Sequence, residues 1–315
     1  MPKTIMPLLN QLLASLDFTA PWYQNLLTLN LPLDAHKNHS MNFVYEILNL
    51  SLTKLCSNNA LCSNNALSFC HHQAFYNHDF HNHQGLALTF VPQNHLPTHT
   101  NYESFIATTG NIPTRDNWHD LLNGLIWLNF PKTKATLNHL HDQDLKQYGN
   151  NARTPQRNAL TLFDENGGVI VSNNQQLLTN LQNFAWQQAF LAQKHAWQTS
   201  QFFAIGHALL EKLITPRKNI SAHTLLILVD NDWQTQSIDT QRTLLDNFLA
   251  KVLFSQTLQT KMLQPLPVLG IPNFCPNDIG KQDLVFYQDR RVFREKRHDK
   301  LTKIWQLHTN EWLNF

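Results

Sequence analysis

The sequence predicts a helix-rich α+β fold, a single domain over residues 1–315 with a small, mainly antiparallel sheet. Three observations predict it. Apolar residues recur with helical spacing after Pro113 and again over 241–253. The run His223 to Val229 is continuously apolar, as a buried strand is. Short apolar runs flank turn-rich strings at 164–168 and 289–290, the pattern of hairpins.

The elements follow in order. Pro113 restricts Ile112 to extended backbone, and Asp116 or Asn117 can accept the first unpaired amides, so a helix starts near 117 and ends at Pro131. Steps of about 100° place Trp118, Leu121, Leu122, Leu125 and Ile126 on one apolar arc, with His119 and Asn123 adjacent at its edge. Ala159–Phe163 and Val169–Ser172 read as strands of a hairpin with Asp164 and Glu165 at its tip or at the mouth of a cleft. Helices are expected over 186–191 and 197–213, the latter ending before Pro216, and a second hairpin over 284–287 and 291–294.

Composition narrows the class. With 42% hydrophobic residues and 9 glycines in 315 residues, the chain can bury a large core. Its first residues form a poor secretory signal, because the apolar run is broken by Pro7, Asn10, Gln11 and Asp17. No segment approaches the roughly 20 apolar residues of a membrane helix, so a cytoplasmic protein without a membrane partner is expected. Cys56, Cys62, Cys70 and Cys275 lack the spacing of a zinc knuckle. Cys275 has no paired base visible in the sequence, which favours an incidental thiol over a nucleophile. The hexapeptide Cys-Ser-Asn-Asn-Ala-Leu occurs twice over 56–67, and seven of the 17 histidines fall within 71–99. The same stretch is rich in Asn and Gln, and a polar loop accounts for it.

The chemistry concentrates on two helical turns. His119 at the border of a core and a solvent cleft is a candidate base; the alternative is a ring bonded to a backbone carbonyl, with Asp120 solvated. Gly206 would let another backbone approach closely, and His207 and Glu211, four apart, share a polar edge. With His119 or Asp164 as a third ligand, that pair could chelate a divalent metal, or it could serve as a base with its orienting carboxylate. A surface ion pair is the competing reading, and His99 and Glu103 repeat the spacing. Thr108-Thr109-Gly110 and Arg115 before the helix offer an anion site, against which Asp116 would occupy the same donors. Residues 281–303 hold eight Lys/Arg against four Asp/Glu, a basic segment suited to nucleic acid or simply to solvent.

The strings PTRDNWHDLLNGLIWLNFPKTKATLN (113–138), RNALTLFDENGG (157–168), FAIGHALLEKL (203–213), PLPVLGIPNF (265–274) and FYQDRRVFREKR (286–297) together resemble the bacterial domain of unknown function 3025 family. The resemblance covers about the last two thirds of the chain and implies no particular activity. It departs from the family pattern at Asn158, where Asp is expected, and at Asn273-Phe274, where Gly-Trp is expected. A family-like core over about 100–300 follows from it, and 50–100 reads as a variable His/Asn-rich insertion or loop region.

Two functional expectations result. In the first, a hydrolase-type enzyme gathers His119, Asn123, His207, Glu211 and Asp164 in one cleft, with Arg115 and Asp120 binding an anionic small molecule and a divalent metal as a possible cofactor on His119, His207 and Glu211. In the second, a non-catalytic protein binds an acidic partner, nucleic acid included, and its histidines are structural. Oligomeric state is left open.

Overall fold

The computed structural model describes residues 16–26, 43–63, 80–150 and 152–309. His71, His72, His78, Cys70 and the end of the second hexapeptide lie outside them. The fold is α+β, as expected, and it buries one contiguous apolar cluster running from Leu16 to Leu307.

Helix α1 (Val44–Ser63) precedes β1 (Thr89–Pro92). Helix α2 (Tyr102–Thr109) stops at Gly110, whose φ of 74° suits a residue without a Cβ, and β2 (Asn111–Thr114) then pairs with β1 in parallel. The extended backbone predicted around Ile112 and Pro113 is this strand. Helix α3 (Trp118–Asn129) is capped by Asn117, whose side chain accepts from the Asp120 amide at 2.8 Å. Asp116 instead accepts from the Val44 amide at 2.9 Å and so caps α1. Leu121, Leu122, Leu125 and Ile126 are buried as the arc requires.

Pro131 ends α3 and opens α4 (Pro131–Tyr148), where a residue without an amide hydrogen costs nothing at the first position. The next two amides, of Lys132 and Thr133, donate to the Asp246 carboxylate at 2.9 and 2.7 Å. Asp246 lies on α8 (Ile238–Ser255), so one buried carboxylate ties the start of one helix to the flank of another.

Three expected elements are corrected. Residues 159–163 are not a strand: α5 (Pro155–Asn166) is capped by Thr154, and Ala159, Leu160 and Phe163 bury one helical stripe. Asp164 and Glu165 therefore sit on the last turn of α5, directly before β3 (Gly167–Ser172). Residues 197–213 are not one helix. Ser200–Ala204 form β4, antiparallel to β3, and α7 (His207–Leu213) begins only after Gly206; α6 (Gln175–Gln182) and a π-helical turn at Gln188–Ala192 come earlier. Residues 284–294 make no hairpin: Leu284–Tyr287 is one helical turn capped by Asp283, followed by turns.

The main sheet is mixed rather than mainly antiparallel. Its order is β4, β3, β5 (Ser221–Val229), with β6 (Gln264–Pro267) and β7 (Ile304–Leu307) end to end along the far edge of β5. β3 and β7 run parallel to β5, β6 antiparallel to it. Every residue of β3 is buried, which explains why its sequence runs Gly-Gly-Val-Ile-Val-Ser without polar alternation. Helix α4 packs on α2 and α8, and α3 and α5 both pack on α7.

The turn between β4 and α7 fixes the last of these contacts. The amides of Ile205 and Gly206 both donate to the Gly167 carbonyl, at 3.0 and 2.8 Å. A Cβ on Gly206 would lie 2.4 Å from the Glu165 carbonyl oxygen and 2.5 Å from the Gly167 nitrogen, both main-chain atoms that cannot swing aside. Gly206→Ala is therefore expected to destabilise the protein by about 2 kcal/mol or more. Urea denaturation checks this; an unchanged midpoint would show that the two backbones are not held together there.

Candidate active site

Five helices turn polar side chains into one cleft of about 450 Å³. α2 contributes Tyr102 and Glu103, α3 His119, Asp120 and Asn123, and α7 His207. α5 presents Arg157, Thr161 and Asp164, spaced at i, i+4 and i+7, and α4 presents Lys134, Asn138 and His141 with the same spacing toward the cleft's inner wall. Each set is one face of its helix.

At the mouth, His119 Nδ1 is 3.0 Å from Glu211 Oε2, and His119 Nε2 is 3.0 Å from His207 Nε2. The rings meet edge to face with centroids 4.4 Å apart. Glu211, His119 and His207 thus form a hydrogen-bonded chain leading from solvent inward: the Glu211 and His119 side chains are 40% and 38% exposed, whereas His207 is buried. Nδ1 of His207 is buried without a hydrogen-bond partner among the described residues.

Behind His207, Lys134 Nζ donates to Asp164 Oδ1 in an ion pair removed from solvent, with the ammonium 5.4 Å from the centre of the Trp127 ring. Burial alone would raise the Asp164 carboxyl, but Lys134, His207 and His141 together outweigh it and hold the group below the ordinary carboxylate range. Glu103 goes the other way. Burial raises its carboxyl and Asp164 adds to the effect, against His141, the Asn138 amide and Lys134. Asn138 Nδ2 donates to both the Glu103 carbonyl at 2.9 Å and Oε2 at 2.5 Å. Tyr102, raised well above its ordinary value by burial and then by Glu103, Asp120 and Asp164, stays a neutral hydroxyl and accepts from Asn123 Nδ2 at 3.2 Å.

Arg115 and Asp120 engage each other. Asp120 Oδ2 accepts from the Arg115 amide at 2.6 Å and Nε at 3.1 Å, and Oδ1 accepts from Nη2 at 2.9 Å. The carboxylate is buried and the arginine side chain 57% exposed, so the guanidinium is oriented at the cleft edge with Nη1 unbonded among the described residues. Asp120 is therefore not solvated, and both of its oxygens are engaged by Arg115 at the cleft edge.

All seven residues singled out from the sequence come together: six line the cleft, and Glu211 bonds His119 at its rim. Sequence reasoning missed Tyr102, Glu103, His141 and Arg157 and gave no role to Lys134 and Asn138. The i, i+4, i+7 spacing of Lys134, Asn138 and His141 was the available signal. Among the described residues no group of three or more His, Cys, Asp or Glu is placed to hold a metal ion, and both nitrogens of His119 are already bonded. Asn158 is exposed and does not line the cleft, so the departure there takes nothing from it. Asn273 has φ 68°, a backbone that favours glycine and that asparagine tolerates, and Phe274 packs edge-on against Phe202.

His207 gives a pH test. Burial lowers its imidazole from 6.5 to about 4; the Asp164 carboxylate opposes this, and Lys134 and His119 reinforce it. The folded ring is neutral, while the unfolded chain takes up a proton below about 6.5. Stability from this ring is then complete above about pH 6.5 and is lost as pH falls toward 4, by roughly 3 kcal/mol. His223, also lowered to about 4 by burial and then by Lys300 and Lys212, adds in the same window. Urea midpoints should fall on acidification between pH 6.5 and 4, and His207→Gln should flatten the slope; an equal slope in the variant would mean the ring is not held neutral.

No curated protein and no solved structure matches the chain. The profile of the family described as a protein of unknown function (DUF3025) matches residues 88–297, about two thirds of the chain and all of the cleft residues named above. The chain belongs to that family.

Proposed function

We propose that the cleft is the active site of a hydrolase-type enzyme in which His119 carries a proton to or from an anionic small molecule. The observation that carries this reading is the Glu211–His119–His207 chain, two contacts of 3.0 Å that run from the rim to the wall of a polar cleft. Glu211 accepting from Nδ1 fixes the ring's orientation and leaves Nε2 as the working nitrogen, the arrangement by which a carboxylate sets an imidazole's tautomer. His207, held neutral, meets that nitrogen without adding a second positive charge. It can give up the contact when a substrate oxygen competes for His119 Nε2.

Other groups support binding and polarisation rather than proton transfer. Arg115, steadied by Asp120 through two side-chain bonds, offers its outer edge to a carboxylate or phosphate. Tyr102 and Asn123 are neutral hydrogen-bonding groups in the same wall. The Lys134–Asp164 pair is too deep to be the first contact for substrate and acts on the site through His207.

The test is a screen of the purified chain against carboxylic esters, phosphate esters and amides that bear an anionic group. Turnover is expected to fall about 10²–10⁴-fold in His119→Ala, the range for loss of a positioned acid–base group. Glu211→Gln is expected to fall less and to shift the pH profile, with melting temperatures close to the parent in both. Turnover indifferent to both substitutions would remove His119 as the proton carrier. Ligand binding with no turnover would favour the non-catalytic reading.

A further inference from the structure

A second cavity, of about 730 Å³, lies under the segment that follows β6 and is separate from the cleft, sharing no residue with it. Its size falls within the range of small-molecule sites. Five cationic side chains line it, Lys218, Arg291, Arg294, Arg297 and Lys300, against two carboxylates, Asp289 and Glu295. Asp289 is already engaged by Lys218 at 3.2 Å and by Arg291 at 3.2 Å. An excess of positive charge therefore faces a concave surface.

Two cations stand ready for a ligand. Lys300 is half-buried and held by the main-chain carbonyls of Leu263 at 3.1 Å and Thr260 at 3.4 Å, which leaves its ammonium positioned beside Arg297. Arg297 is exposed, and its side chain makes no hydrogen bond or ion pair among the described residues. His223, on the cavity wall, has a buried Nδ1 with no hydrogen-bond partner among those residues. Burial lowers the ammonium of Lys300, Asp299 opposes the shift, and Arg297 adds to it by less. Phe184, Trp186, Pro265, Pro267 and Val292 make the apolar part of the lining, and Asn219 and Ser221 add polar groups.

We propose that this cavity binds a phosphate monoester with a compact apolar body, the phosphoryl group meeting Arg297 and Lys300 and the body lying against Trp186, Pro265 and Pro267. A dianion there offsets most of the cationic excess, and a planar guanidinium fork matches phosphoryl oxygens. A concave surface of this volume fits a small molecule, and its apolar wall beside the cations suits a compact apolar body better than a bare anion.

The probes are phenyl phosphate and inorganic phosphate, titrated calorimetrically against the full chain at low salt. Phenyl phosphate is expected to bind at least fivefold more tightly than inorganic phosphate, and Arg297→Glu to weaken both at least tenfold. Arg297 is exposed, so this variant should melt with the parent; Lys300→Gln, expected to weaken binding by a similar factor, is the second check. His119→Ala is expected to leave the affinity unchanged, which separates this cavity from the cleft. Equal affinity in Arg297→Glu and the parent, or loss of binding in His119→Ala, overturns the proposal. Binding of a single-stranded oligonucleotide without any binding of phenyl phosphate overturns it in favour of a nucleic-acid surface.

Discussion

A lysine ammonium held away from water on α4 and the aspartate that neutralises it on α5 set the terms for the rest of the cleft. Removing two charges from water costs several kcal/mol per ion, and their attraction offsets this only while both remain in place. Losing either one would leave an uncompensated charge, at a cost of about 3–5 kcal/mol. Lys134 and Asp164 therefore pin α4 to α5, and the position of α5 in turn fixes α7, because Gly206 touches the main chain at Glu165 and Gly167. The histidine that begins α7 is thus placed by an ion pair on two other helices.

The same pair sorts the cleft's titratable groups into different protonation states. Lys134 lowers Asp164 and pushes His207 further from protonation, while Asp164 raises its neighbours Glu103 and Tyr102. One carboxylate is held ionised and a second is shifted toward its neutral form within the same wall, and one imidazole is kept uncharged next to another that a carboxylate orients. Such divergence is a common mark of acid and base roles, though buried ion-pair networks produce it as well. What favours a working site over a structural network is the exposure gradient, from a solvent-facing His119 and Glu211 to a buried His207.

How much of this could be read from the chain depends on where burial and polarity agree. α3 was legible because its apolar arc is clean, and His119 and Asn123 fall at its edge by spacing alone. Gly206 was legible because a glycine beside large apolar residues signals close backbone approach, although the element around it was misread as one long helix. β4 carries Phe202 and Phe203 in succession, and both are buried, so neither a period of two nor a helical stripe marks it. Asp164 lines the cleft but was placed on the wrong element, since Glu-Asn-Gly-Gly reads as a turn when the stripe of Ala159, Leu160 and Phe163 is overlooked. α4 was hidden for a deeper reason. Thr133, Lys134, Asn138, His141, Asp142 and Asp144 look like a solvated face, and all are buried. A polar helix in the interior is stabilised by partners on other elements, Asp246, Asp164 and Glu103 here; spacing within α4 marks the shared face of Lys134, Asn138 and His141 but does not name those partners.

The fold also relates His207 in the cleft to the half-buried His223 in the second cavity. His223 on β5 stands in register with Gly167 at the start of β3, one residue beyond the helix that holds Asp164 and Glu165. Helix α7 borders both regions: His207 and Glu211 serve the cleft, while Lys212, bonded to Asn166, contributes to the field at His223. Each of these two rings has a buried Nδ1 without a hydrogen-bond partner among the described residues. Burial, the largest cause in both, holds the two rings neutral, against the Asp164 carboxylate at His207 and together with Lys300 and Lys212 at His223. A neutral ring can accept or donate a hydrogen bond without adding charge to the site, and at His207 that property depends on a position that the buried ion pair and the Gly206 contact keep in place.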